Sequence, residues 1–99
     1  MIFRDLEKVR VIVKEATDLD IAYAYDDLVF PEHAAFIIQF DDANQNNYFS
    51  YFHQDCLPES KDKIDNNLLQ AFKKHRSTLV SKGSFTLEQK GEEIEIRFL

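Results

Sequence analysis

The sequence predicts an α+β fold: a two-layer sandwich of order α-β-β-β-α-β-β, in which a five-stranded, mainly antiparallel sheet carries two helices on one face. Three observations predict it. Two segments repeat their apolar residues with the helical period, the segments between and after them alternate with the strand period, and the links are short, with no repeat or low-complexity tract. A single domain spanning 1–99 follows.

Each element has its own pattern. On a helical wheel Ile2, Phe3, Leu6, Val9, Ile12, Val13 and Ala16 form one broad arc, which predicts a first helix over 2–16; the alternation of Val9, Val11 and Val13 is the competing strand signal. Ile21-Ala22-Tyr23-Ala24-Tyr25 alternates large and small side chains and predicts the first strand. Asp26-Asp27 and Pro31-Glu32 mark turns around Leu28-Val29-Phe30. Ala34 to Phe40 is apolar on both faces and predicts a central second strand, and after the polar loop 41–47 the run Tyr48 to His53 returns antiparallel as the third. Pro58-Glu59-Ser60 starts a second helix that carries Ile64, Leu68, Ala71, Phe72, His75 and Leu79 on one face until Gly83 stops it. The last two strands form a hairpin through Lys90-Gly91, with Phe85, Leu87, Ile94, Ile96 and Phe98 turned to the helices and Glu88, Glu93, Glu95 and Arg97 to water.

Composition narrows the function classes. A net charge of −6 repels phosphate backbones and anionic membrane surfaces, so nucleic acid is not expected as a ligand; an acidic mimic of nucleic acid is an alternative use of the same charge. No apolar run approaches the ~20 residues of a membrane helix, and the N-terminus lacks a signal-peptide pattern. With Cys56 the one cysteine, an internal disulfide is impossible and a cytoplasmic location is the expectation.

Several residues invite chemical readings. His53-Gln54-Asp55-Cys56, with His33 and His75, has zinc-type ligand chemistry but only one loose His-x-x-Cys, where structural zinc uses paired motifs. Cys56 as a histidine-activated nucleophile is the enzyme alternative, opposed by the neighbouring Asp55. Asp42-Ala43-Asn44-Gln45-Asn46 starts like a calcium loop, but Asn47 stands in place of the turn glycine and His53 in place of the bidentate glutamate. His75 reads as a core histidine in the middle of the second helix, hydrogen-bonded to a neighbour, and Gly83 and Gly91 as a helix stop and a hairpin turn. No cofactor is expected, because phosphate-cradling and dinucleotide fingerprints are absent.

The element order, with Asn67-Leu68-Leu69-Gln70-Ala71-Phe72 leading through Gly83-Ser84-Phe85-Thr86-Leu87 to Ile94-Glu95-Ile96, resembles the type III secretion chaperone-like fold. That resemblance implies a small, acidic, cytoplasmic α+β protein that dimerises and holds partner proteins. The chain ends at Leu99, where the family usually adds a last helix.

The expectation is therefore a protein-binding or chaperone-like module acting through an apolar and aromatic sheet face, with a protein partner or a homodimer mate. Strands two and three have aromatic mass on both sides, and two helices on one layer cannot cover both. The expected contact comprises Ile37 with either Tyr48 and Phe52 or Phe49 and Tyr51, the alternative being that Leu28, Val29 and Phe30 fold over this patch within one chain.

Overall fold

In the computed structural model, which describes residues 5–99, the N-terminal helix is set by its caps. Asp5 precedes α1 (Leu6–Thr17), and its carboxylate accepts the Lys8 main-chain N–H at 3.0 Å. The helix closes at Asp18, which takes the left-handed conformation at φ 62° and donates its N–H to the Lys14 carbonyl. The expected residues Ile2 and Phe3 of this helix lie outside the described residues.

Six strands follow, hydrogen-bonded in sequence order: β1 (Ile21–Tyr25), β2 (Leu28–Pro31), β3 (Phe36–Phe40), β4 (Asn47–His53), β5 (Thr78–Lys90) and β6 (Glu93–Phe98). The five-strand expectation is corrected at Leu28–Pro31, which forms β2 rather than a link. Asp26, at φ 54°, supplies the left-handed turn residue that lets a two-residue loop reverse the chain, so Tyr25 pairs with Leu28. A single turn of 3₁₀ helix, Glu32–Ala34, then leads to β3.

The second correction concerns the long helix. Pro58 opens α2 (Pro58–Lys74), but the helix stops well before Gly83. His75 caps it, Arg76 turns left-handed at φ 59°, and the Ser77 N–H returns to the Phe72 carbonyl at 2.8 Å. The segment from Thr78 onward is strand, and Leu79 matched the helical wheel because it faces the helices from β5, opposite Tyr48. Since β4 and β5 are joined through a helical crossover they pair parallel, and the other four pairings are antiparallel.

Both helices lie on one face of this sheet. Val9, Ile12 and Val13 of α1 and Leu68, Ala71 and Phe72 of α2 share a core with Val29, Phe36, Ile38, Phe40, Tyr48, Phe52 and Leu79. The opposite face has its own apolar cluster, Phe30, Ile37 and Phe85, flanked by Leu28, Tyr51, Leu87 and Ile96. The sheet curls into a half-barrel around this second cluster.

Two one-residue register shifts decide which face the ends of the sheet serve. Ser50 pairs with Ser81 but Tyr51 pairs with Gly83, so Lys82 is an extra residue in β5. Leu79 points to the helices and Phe85 to the concave face, although even spacing would put them on the same side. The expectation that Phe85, Leu87, Ile94, Ile96 and Phe98 cover the helices is thereby inverted. A second shift, with Ala22 as the extra residue, turns Ile21 to the helix core and Tyr23 to the other face, opposite Phe30.

Candidate functional site

The β3–β4 register Phe36↔Phe52 through Phe40↔Tyr48 assigns every side chain of the expected contact. Tyr48 and Phe52 turn to the helices and are buried among aromatic neighbours; the Tyr48 ring lies 4.9 Å from Phe72, and Phe52 lies 5.9 Å from Phe36. Ile37, Phe49 and Tyr51 belong to the concave face. Ile37 is fully buried inside one chain by Phe30 and Phe85, Tyr51 is partly covered by Phe98, and Phe49 lies under the Lys82 ammonium at 4.6 Å from the ring centre. Leu28–Pro31 does not fold over the patch: as β2 it lies beside β3 in the sheet, so Leu28 and Phe30 flank Ile37 on this face together with Phe85 from β5, while Val29 faces the helices.

A polar chain stiffens this concave surface. The Tyr51 hydroxyl donates to Gln39 Oε1 at 2.9 Å, and the Gln39 amide donates to Asp27 at 2.8 Å. Burial raises the Tyr51 phenol above its ordinary pKa, with the Asp27 carboxylate acting in the same direction.

What the chain leaves open lies between its two hairpins. A groove of about 370 Å³ is walled by Ala22 and Tyr23 of β1, Phe30 and Pro31 of β2, Leu87 of β5 and Ile94 and Ile96 of β6, with His33 at its end. Tyr23 and Ile94 are 58% and 67% exposed on its walls, and Tyr25, 64% exposed, extends the aromatic wall with its ring nearly parallel to Tyr23 at 6.4 Å. A volume of this size, apolar with one polar group at the end, suits an apolar side chain or two and not a charged ligand. Sequence reasoning missed this groove, although the signal was present in Ile21–Tyr25, an aromatic strand without a charge.

The residues with chemistry in them gather in a shallower depression next to it, about 340 Å³, lined by His33, Ala35, His53, Asp55, Cys56 and Leu87. His53 Nδ1 accepts the Asp55 main-chain N–H at 3.0 Å, which occupies the lone pair a base would use, and its ring meets Phe85 edge-on at 5.2 Å. The Cys56 thiol contacts the neighbouring Leu57 carbonyl at 3.8 Å. Among the described residues no three of His, Cys, Asp and Glu stand together as a metal would need. His75 lies elsewhere and not in the core as expected: the helix ends before it, so it caps α2 half-exposed and bonds to Glu15 of α1 at 2.9 Å.

The calcium-like segment is a tight polar loop between β3 and β4. Asp41 and Asn44 each spend a side-chain oxygen on a main-chain N–H two residues on, at 2.9 Å in both cases. Among the described residues, no helix is long and apolar enough to cross a membrane.

The chain matches no family model, no curated protein and no solved structure. Fold and groove together define a class, a half-barrel α+β protein with an apolar cleft between two hairpins.

Proposed function

We propose that this chain is a protein-binding module, chaperone-like in the sense that it holds an apolar segment of another protein in the groove between the β1–β2 and β5–β6 hairpins. The observation that supports this reading most is the exposure of Tyr23 and Ile94 on facing walls of one apolar cleft. A folded chain gains by covering such side chains at roughly 25 cal/mol per Å² of apolar area, so the groove offers a partner affinity without any new polar register. The role agrees with what the resemblance to type III secretion chaperones implies. The cysteine-dependent alternative has less support, because the His53 lone pair nearest to Cys56 in sequence is already committed to a main-chain N–H.

A second copy is a poor occupant. Each chain has a net charge of −6, and both ends of β1 carry aspartates, so a symmetric contact there juxtaposes like charges.

Panning a displayed random-peptide library against the wild type and the Ile94→Glu variant tests the proposal. Apolar sequences should be enriched on the wild type and lost on the variant, with light scattering showing a monomer. Equal enrichment on both proteins, or a concentration-dependent dimer broken by Ile94→Glu, would overturn it.

A further inference from the structure

We draw no further inference here: the strongest candidate, the uncharged outer edge of β1 with its exposed Tyr23 and Tyr25 beside the groove, carries nothing more because nothing in the structure shows what covers it.

Discussion

Tyr51 of β4 and Phe98 of β6 meet with ring centroids 4.5 Å apart, although β5 lies between their strands in the sheet. Two rings can reach across an intervening strand only where that strand presents no side chain, and the residue of β5 opposite Tyr51 is Gly83. The curl of the half-barrel brings the two rings together over this gap. Phe98→Ala should cost about 1–2 kcal/mol through loss of the ring pair and its apolar area, read by urea denaturation, with a rise in the accessibility of Tyr51 to a phenol reagent.

Gly83 should tolerate little. It holds φ at 148°, while a Cβ would meet the Leu99 carbonyl at an ordinary 3.6 Å, so the penalty comes from the backbone and not from crowding. Gly83→Ala is expected to destabilise by roughly 1–3 kcal/mol. Deletion of Lys82 should be worse, because it restores even alternation and turns the hairpin's apolar residues to the wrong side. A deletion mutant with wild-type stability would contradict the role given to the extra residue.

Phe85 and Ile94 share a face but differ in burial, 0% against 67% exposed. Phe85→Ala should cost about 3–5 kcal/mol, whereas Ile94→Ala should fall within about 0.5 kcal/mol. Denaturant midpoints on the two variants check the contrast.

The helix pair has an acid-sensitive pin. Glu15 of α1 meets Lys74 at 2.6 Å and His75 at 2.9 Å, and these bonds, Lys74 first, hold its carboxyl below the usual value of 4.5. A carboxylate with a lowered folded pKa stabilises above its unfolded pKa and loses that contribution as pH falls through the folded one. Glu15→Gln should therefore lower the melting temperature at pH near 7 and make no difference at pH near 2; an equal gap at both would show that packing, not charge, is what the side chain contributes.

At the alkaline end the sign reverses. Burial raises the Tyr48 and Tyr51 phenols above 10.0, with Asp5 and Asp27 adding respectively. Protonated phenols are favoured in the folded state, so their contribution is complete below pH 10 and is lost as pH rises through the raised values. Spectrophotometric titration should show the Tyr48 and Tyr51 phenols ionising above the usual 10.0, and Tyr51→Phe should remove one of these late steps.

Much of the architecture was legible from short-range pattern. The wheel positions of Val9, Ile12 and Val13 and the facing of Phe36, Ile38 and Phe40 away from Ile37 follow from side-chain period alone, since period is a property of the local backbone, and the central place of that strand follows from its apolar residues on both faces. The α+β class and the order of most elements follow in the same way. Leu28–Pro31 was less legible because four residues are too few to display a period.

Tertiary structure decided what one-residue shifts and long-range pairing control. The extra residues Ala22 and Lys82 invert the facing of Tyr23 and of the whole C-terminal hairpin, and no local pattern records an insertion whose reference is the neighbouring strand. Leu79 satisfied a helical wheel and still became strand, because the Ser77 N–H found the Phe72 carbonyl and Thr78 onward found β4. The groove between the hairpins is a product of those same shifts. Its walls come from residues up to 74 positions apart, Ala22 and Ile96, and only the curl of the sheet makes them neighbours.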